Sequence, residues 1–531
     1  MLHFSSGNGI ATPLNLNFRQ KLLAMLGLCF VLIMVALDQT VIGTALPTVV
    51  AELNSFDMYA WVGTSYLLTS IITVPIFGKL GDEHGRKPFV MSAIILFTTA
   101  SALCGLAQSM QQLVLARSLQ GVGGGMLFAT SFASVPDMFP EARERLRWQV
   151  LFSASFGLAN AVGPSLGGFL TEYLGWRWVF FVNLPVGILG LWFVWKYLPR
   201  IRHTDKVPLP LDWPGALLVA LTLGSLQLLV EWLPQHKPAL VLIALTAVGV
   251  GSGIVLFWWE RRCANPILPL DMFTHHSLKP LFTLSLIMGF CMFAVMYYAP
   301  LLFQGGFGLS PKDAGMLITP LALFIPVGSI VNGRIVSRLR TPNAMLYVGL
   351  GSFCAAALVL TQTTIATSQM IIIIGMMLAG FGLGLLLPNL TLLAQASAPR
   401  VQLGVATAML QSTRMIGGML GMALVGALVS HRYTLNVNDI LQKSNGDQWA
   451  SWLKDPQILV NHALAEKFRA AVQQSGLDAS TLIEGARLGL VNAIHNSQWL
   501  VAVVVLLAVW VARRVPAISL HSPIFPPGDT P

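Results

Sequence analysis

The sequence predicts an all-α integral membrane protein with fourteen transmembrane helices, arranged as two pseudo-symmetric six-helix bundles with two helices inserted between them. Three observations support this fold class. Fourteen apolar segments are long enough to cross a bilayer, which takes about 20 helical residues. The basic residues lie mainly in short loops between those segments, and glycine-rich stretches recur about 255 to 260 residues apart.

Composition places most of the chain in lipid. Of its 531 residues, 55% are hydrophobic and only 10% are charged, whereas a soluble globular protein averages about a quarter charged residues. The formal net charge of +10 is spread over short loops, which is typical of membrane proteins and does not indicate nucleic-acid binding. The five cysteines are scattered and form neither a disulfide framework nor a metal-ligand spacing.

The apolar pattern divides the chain into five parts. In order, these are a cytoplasmic tail (1–20), an amino-terminal six-helix bundle (21–200), two linker helices (201–262), a carboxyl-terminal six-helix bundle (263–514) and a second cytoplasmic tail (515–531). The last bundle contains a long external loop at 431–480. Residues 461–474 of that loop have the periodicity of an amphipathic helix, with Leu464, Phe468 and Val472 on one face.

Loop charge predicts the orientation. Twenty-one Lys and Arg residues fall on the side of the amino terminus, and three fall in the short loops of the opposite side. Cytoplasmic loops carry the excess of Lys and Arg. We therefore expect a multi-pass protein of the bacterial cytoplasmic (inner) membrane with both termini in the cytoplasm.

A weak internal repeat relates the two bundles. Three pairs of glycine-rich sites recur in the same order, at Gly78 and Gly333, Gly121 and Gly380, and Gly157 and Gly417. Two related halves with a nearly constant offset are typical of transporters built from parallel repeats. The two inserted helices account for an offset larger than six helices need.

A polar segment at 78–88, called here the hinge segment, separates two uncharged apolar runs, so the chain must turn there at a membrane surface. It resembles the signature of the loop between the second and third helices of major facilitator transporters. The matching residues are Gly78, Leu80, Asp82, Gly85, Arg86 and Lys87. Gly78 is expected to allow close helix packing. Asp82 is expected to cap a helix start and to pair with Arg86 or with a neighbouring helix.

Asp38 is the only acid in the middle of an apolar run, and Arg117 lies in another such run. A buried carboxylate costs several kcal/mol unless it is paired, protonated or hydrated. Counting 1.5 Å per residue from each helix start places the two residues at similar depths. We hypothesise that they face one cavity and that Asp38 binds and releases a proton there. A packing role for Asp38 is the alternative.

Three motifs resemble those of the fourteen-helix drug:proton antiporter family. They surround Asp38, Arg117 and the group Gly163, Pro164, Gly167 and Gly168. In that family the last motif marks exporters, although a kinked packing helix would explain the same residues. The resemblance covers about residues 21–514. It implies a major facilitator fold and alternating access driven by the proton motive force, with no cofactor.

Residues expected to contact the substrate are Gln39, Met288, Met292, Met296, Tyr297 and Arg414. Methionine and aromatic surfaces adapt to many apolar shapes, although packing or lipid-facing roles are equally compatible with the pattern. Glu231 and Glu260 lie at helix ends, which favours monocationic or neutral amphipathic substrates. Arg414 lies near mid-membrane, where it could form a structural pair or receive an anionic group.

Three functions follow from these features. The first is proton-coupled export of amphipathic or hydrophobic drugs, with the lipid bilayer, protons and small amphipathic substrates as partners. The second is export of lipids or amphipathic anions, suggested by two intramembrane arginines against one aspartate. The third, a membrane-embedded enzyme, lacks a nucleophile–base cluster in the sequence. The sequence leaves open whether a periplasmic adaptor is used.

Overall fold

The computed structural model describes residues 17–53, 55–139, 142–200, 212–232, 237–263, 266–267, 270–336, 339, 343–398, 403–444, 446–473 and 478–516. Every regular element within these ranges is a helix, which confirms the predicted all-α class. Most of the first predicted tail, the beginning of the linker region and nearly all of the second tail lie outside the described residues.

The helices of the amino-terminal half are α1 (Phe18–Leu53), α2 (Tyr59–His84), α3 (Arg86–Leu106), α4 (Met110–Met138), α5 (Ala142–Tyr173), α6 (Trp178–Phe181) and α7 (Asn183–Tyr197). α1 is buried along most of its length, in keeping with its run of Leu, Ala, Val and Met on all sides. Ser109 precedes α4, and its side chain accepts a hydrogen bond from the amide of Gln112 at 3.3 Å. That cap supplies a partner for an amide that the helix start leaves unpaired.

The inserted helices are α8 (Trp213–Trp232) and α9 (Ala239–Glu260). The carboxyl-terminal half contains α10 (Leu270–Thr274), α11 (Leu278–Leu301), α12 (Pro311–Val336), α13 (Asn343–Thr361), α14 (Gln369–Ser397), α15 (Leu403–Lys443), α16 (Ala450–Leu453), α17 (His462–Gln473) and α18 (Ala479–Ala512). A π-helical turn, Leu302–Gly306, continues α11.

Twelve helices in the described part of the chain are long and apolar enough to cross a membrane. α4 and α5 are not among the twelve, although they contain 29 and 32 residues and pack within the helical bundle. The chain is therefore a multi-pass membrane protein. The predicted total of fourteen spans stays a prediction, which requires that α4 and α5 also cross.

The two halves repeat the same helix pairings. In the amino-terminal half, α1 packs on α5 and α7, α2 packs on α4, and α3 packs on α4 and α7. In the carboxyl-terminal half, α11 packs on α15 and α18, α12 packs on α14, and α13 packs on α14 and α18. α8 and α9 pack on each other, and α8 also contacts α2 and α15. Helices that occupy equivalent places in the two halves are those that the glycine repeat of the sequence relates, namely α2 with α12, α4 with α14 and α5 with α15.

Contacts between the halves concentrate at the end of the molecule where α1 ends and α2 begins, called here the closed end. The Tyr59 hydroxyl donates to the carbonyl of Tyr297 at 2.7 Å. Gln304 donates to the carbonyl of Thr44 at 2.6 Å and accepts from Thr48 at 3.1 Å. These hydrogen bonds join α1 and α2 to α11 and the π-helical turn that follows it. The opposite end, where α2 meets α3, is called the hinge end.

The hinge segment differs from the expected polar loop. Its first residues complete α2, which runs to His84, and α3 begins at Arg86. Only Gly85 lies between them, with φ of 87°, a value that L side chains rarely adopt. A Cβ on Gly78 would lie 4.0 Å from that of Ala129, an ordinary contact distance, so the packing of α2 on α4 does not require glycine at this position. The side chain of Asp82 lies outside the described residues.

The external loop begins later than predicted. α15 continues to Lys443, so its 41 residues extend about 60 Å, twice the thickness of a hydrocarbon core. Residues 431–443 are therefore helix. α17 confirms the predicted amphipathic helix, with Phe468 and Val472 fully buried.

The rest of this segment packs on both halves. Asn461 donates to the carbonyl of Ala51 in α1 at 3.2 Å, and Arg487 in α18 donates to the carbonyl of Leu459 at 3.4 Å. Burial raises the pKa of the Asp455 carboxyl. The segment therefore covers the closed end.

Candidate functional site

The structure brings Asp38 and Arg117 together. Asp38 lies on α1 and Arg117 on α4, and Nη1 of Arg117 donates to Oδ2 of Asp38 at 2.7 Å. Asp38 is 2% exposed and Arg117 is fully buried. The similar depths estimated from helix length agree with this contact. Their predicted role in proton coupling stays a prediction.

Two neutral side chains complete the site around the carboxylate. Gln120, one turn after Arg117 on α4, donates from Nε2 to Oδ1 of Asp38 at 2.7 Å. Asn183, at the start of α7, donates to the same oxygen at 3.3 Å and to the hydroxyl of Ser101 at 3.1 Å. Gln120 also accepts from Nη1 of Arg117 at 2.8 Å. One carboxylate is thus held by donors from two other helices.

Arg117 has further contacts in the same pocket. Its Nε donates to the carbonyl of Val62 at 3.2 Å, and its guanidinium carbon lies 4.5 Å from the centre of the Tyr66 ring. Nη2 is buried without a hydrogen-bond partner among the described residues. The side chain of Tyr297, from the other half, interacts electrostatically with this guanidinium.

Burial explains why these residues must act together. Removing an ion from water costs several kcal/mol even after relaxation, and this cost is offset only when its hydrogen bonds are satisfied. Asp38 receives three donors and Arg117 has a carboxylate, an amide oxygen, a carbonyl and an aromatic face. The arrangement can hold an ionised carboxylate, and it depends on the position of α1 against α4.

Sequence reasoning missed two of these residues. Gln120 lies inside the motif around Arg117, and Asn183 precedes a Leu-Pro pair at the start of α7, yet neither received a role. The feature that could have identified them is that both are polar side chains within apolar segments. Such residues also serve ordinary packing, so the sequence alone did not single them out.

The glycine motif of α5 contacts two different helices. A Cβ on Gly163 would lie 1.8 Å from Oγ1 of Thr40, and one on Gly167 would lie 2.4 Å from Oγ1 of Thr44. These two glycines therefore let α5 pack directly against α1. Thr40 and Thr44 lie within two turns of Asp38, so the packing of α5 helps to position the carboxylate.

A neighbouring face of the same motif contacts the other half. A Cβ on Gly168 would lie 2.3 Å from the carbonyl oxygen of Pro311, and one on Gly315 would lie 2.4 Å from that of Pro164. Backbone thus meets backbone where α5 crosses α12 at the closed end. This contact requires glycine on both helices.

The basic residues of the hinge segment bind within the amino-terminal half. Arg86 forms an ion pair with Asp137 of α4, a partner that the sequence did not suggest. Lys87 donates from Nζ to the carbonyl of Trp195 in α7 at 2.7 Å. The ends of α3, α4 and α7 are therefore fastened together at the hinge end.

The predicted substrate residues divide by exposure. Met288 and Tyr297 are buried, whereas Gln39, Met292, Met296 and Arg414 are partly exposed. Since α11 is otherwise almost fully buried, partial exposure halfway along it indicates a gap in the interior. Within the described chain, no group of three His, Cys, Asp or Glu residues could hold a metal ion.

Two repeated helical halves, one of which contains a buried ion pair, define a polytopic protein of the membrane-transporter type. The sequence profile of the Major Facilitator Superfamily matches residues 28–422, and the chain belongs to this superfamily.

Two bacterial relatives have been given functional names. The "Multidrug transporter protein MdtP" of Bacillus subtilis is 34% identical over 78% of this chain and 76% of that protein. "Multidrug resistance protein 3" of the same organism is 31% identical over 86% and 89%, respectively.

Solved structures share the fold. A bacterial homologue of the human lysosomal transporter Spinster, in an inward-facing and unoccupied conformation, has a TM-score of 0.63 at 16% identity. It covers 95% of this chain and 100% of its own. A D-xylose–proton symporter has a TM-score of 0.56 at 14% identity, over 84% and 96% of the two chains. At these identities the likeness concerns the fold alone.

Proposed function

We propose that this protein is a fourteen-helix drug:proton antiporter that exports amphipathic compounds across the cytoplasmic membrane. The observation that carries the proposal is the buried ion pair between Asp38 and Arg117, 2.7 Å apart. The two relatives named as multidrug proteins support the substrate class. The excess of basic residues at the hinge end supports termini and hinge on the cytoplasmic side.

Protonation of Asp38 is the proposed coupling step. A proton on the carboxylate removes the negative charge that compensates Arg117, which then remains buried with neutral acceptors only. Since an uncompensated buried charge is costly, the neutral site favours a different position of α1 relative to α4. A proton thereby shifts the balance between two conformations by binding one of them more tightly.

The α5 motif connects this step to the contact between the halves. α1 packs on Gly163 and Gly167, while Gly168 and Pro164 on a neighbouring face of α5 meet α12. A shift of α1 therefore acts on the helix that closes the two halves against each other. Alternating access requires such a link between the proton site and the closed end.

Transport into inverted membrane vesicles tests the proposal. With an inward-acidic gradient, vesicles containing the protein should accumulate an amphipathic dye, and an uncoupler should abolish the accumulation. Asp38→Asn should lower the gradient-driven transport rate at least about tenfold, which corresponds to an increase of about 1.4 kcal/mol in the activation free energy. The amide keeps the size of the side chain but cannot exchange a proton.

Asp439→Asn is the matched control, because it makes the same change on an exposed acid of α15. Full gradient-driven transport by Asp38→Asn would refute the coupling role. Recovery of a chemically modified dye would instead favour the enzyme alternative.

A further inference from the structure

Arg414 is a second intramembrane cation with no role in the proton site. It lies on α15, 11 residues after Leu403, or about 16 Å along the helix. A Cβ on Gly289 of α11 would lie 1.9 Å from the carbonyl oxygen of Arg414. Gly289 is likewise 11 residues into its own helix. Both estimates place Arg414 near the middle of a hydrocarbon core of about 30 Å.

The helical period directs Arg414 toward the interior. α15 presents Met422 to Gly63 of α2, and it presents Gly417 and Gly421 to α11. At 100° per residue, Arg414 falls between these two faces. The gap between α2 and α11 lies inside the molecule, between the halves. Arg414 and Gln411 are both partly exposed there.

The charge of Arg414 is not matched by an acid. Within the described part of the chain, its guanidinium forms a hydrogen bond with Gln411 and no ion pair. Arg117, the other intramembrane arginine, is paired with Asp38. A cation held at this depth without a carboxylate is costly, and an anion from outside the protein would remove that cost.

Apolar surface adjoins this cation. Met292 and Met296 are the partly exposed residues in the second half of α11, and the carbonyl of Met296 lies beside Gly43 of α1. Met292 lies one turn beyond Gly289, which touches the backbone of Arg414. Cation and flexible thioether side chains therefore border the same interior gap.

We propose that Arg414, oriented by Gln411, binds the anionic group of an amphipathic substrate whose apolar part lies along Met292 and Met296. A guanidinium offers paired donors that fit a carboxylate or phosphate, and methionine adapts to varied apolar bodies. This proposal rests on the proposed export function and specifies its substrate class. It replaces the expectation of monocationic or neutral drugs.

Matched probes test the subsite on the full chain in lipid nanodiscs. The probes are 11-(dansylamino)undecanoate and its primary amide, which differ only in the terminal anion. Dansyl fluorescence gives both dissociation constants, with empty nanodiscs as the blank. The wild type should bind the carboxylate at least about tenfold more tightly than the amide. The free energy of a hydrogen bond to a charged group is large enough to change a dissociation constant by this factor.

Variants assign the preference to Arg414. Arg414→Gln should equalise the two probes while leaving the dissociation constant of the amide within about twofold. Arg414→Lys should keep part of the preference because it retains the charge without the planar fork. Arg432→Gln is the control, because it removes the same charge from an exposed position of α15. Nanodiscs with and without phosphatidylglycerol distinguish a lipid phosphate from a soluble anion as the natural occupant of the subsite. If the lipid phosphate binds Arg414, phosphatidylglycerol should compete with the carboxylate probe and raise its dissociation constant.

Two results would overturn the subsite. One is equal binding of the two probes by the wild type, and the other is an unchanged carboxylate preference in Arg414→Gln. The amide constant reports whether each variant is folded. A carboxylate preference that depends on Arg414, with no gradient-driven transport in vesicles, would instead count against the proposed antiport alone.

Discussion

A single carboxylate in the interior of this protein is held by side chains from several helices. Asp38 receives Arg117 and Gln120 from α4 and Asn183 from α7. Each contact by itself is an ordinary hydrogen bond of about 1 kcal/mol, or somewhat more where a charge is involved. The energetic weight lies in what remains when one partner is lost, because the other charge then stays buried without compensation.

A double-mutant cycle tests this coupling. Asp38→Ala should lower the free energy of unfolding by about 3–5 kcal/mol, because Arg117 is left buried and unpaired. Removing both charges with Asp38→Ala and Arg117→Met should cost less than the sum of the single changes. Thermal unfolding of the purified protein in detergent gives the comparison. The exposed pair Lys443–Asp439 is the control, where the coupling should stay below about 0.5 kcal/mol.

The sequence predicted the charged members of this site and not the neutral ones. Asp38 and Arg117 were identifiable because a charge within an apolar run needs a compensating partner. Gln120 and Asn183 are uncharged, so neither requires an oppositely charged partner. Their role is recognisable only in the folded protein, where α1, α4 and α7 meet. Arg86 pairs with Asp137 of α4, which the sequence did not suggest because the two residues lie on helices that are distant along the chain.

At the scale of elements, α5 connects two interfaces through one short motif. Gly163 and Gly167 face α1, and Gly168 faces Pro311 of α12. A helix with small residues on two sides can pack closely on two neighbours at once. The sequence identified the motif, but the division of its glycines between two helices depends on their angles around α5.

A single methyl group on Gly168 should separate the halves at the closed end. Its Cβ would lie 2.3 Å from a backbone oxygen of Pro311, which cannot rotate away, so Gly168→Ala should disfavour the closed arrangement by about 1–3 kcal/mol. Spin labels at Leu174→Cys and Met316→Cys, both exposed, should report a longer distance in a background without native cysteines. Gly251→Ala, where no atom lies within 4 Å, should leave the distance unchanged. An unchanged distance in Gly168→Ala would contradict this account of the interface.

Helix positions were well predicted where hydropathy marks them and poorly predicted where it does not. The apolar runs located α1 and α11 directly. The polar continuation of α15 to Lys443 carried no hydropathy signal, because it extends beyond any membrane. The hinge segment likewise combined polar residues with helical structure, so its charges indicated a membrane surface without indicating a loop.

At the scale of the whole molecule, the described contacts between halves favour one end. Tyr59, Thr44 and Thr48 bind the end of α11 and the turn after it, and the segment around α17 covers this end from outside. The loop charges predict that the opposite, hinge end faces the cytoplasm. We therefore propose that the described contacts between the halves seal the side of the protein that faces away from the cytoplasm.

Thiol labelling from each side of the membrane tests that conformation and the orientation together. Met292→Cys lies in the interior gap. A membrane-impermeant maleimide should therefore label it at least about tenfold faster in inverted vesicles than in right-side-out vesicles. This ratio requires only that the closed end raise the free-energy barrier to entry of the reagent by about 1.4 kcal/mol. Lys312→Cys, partly exposed at the closed end, should show the opposite preference, in the same cysteine-free background. Equal labelling of Met292→Cys from both sides would mean that the hydrogen bonds of Tyr59 and Gln304 do not seal the halves. Reversed preferences at both positions would keep the closed end but invert the topology, because the same barrier would then face the cytoplasm.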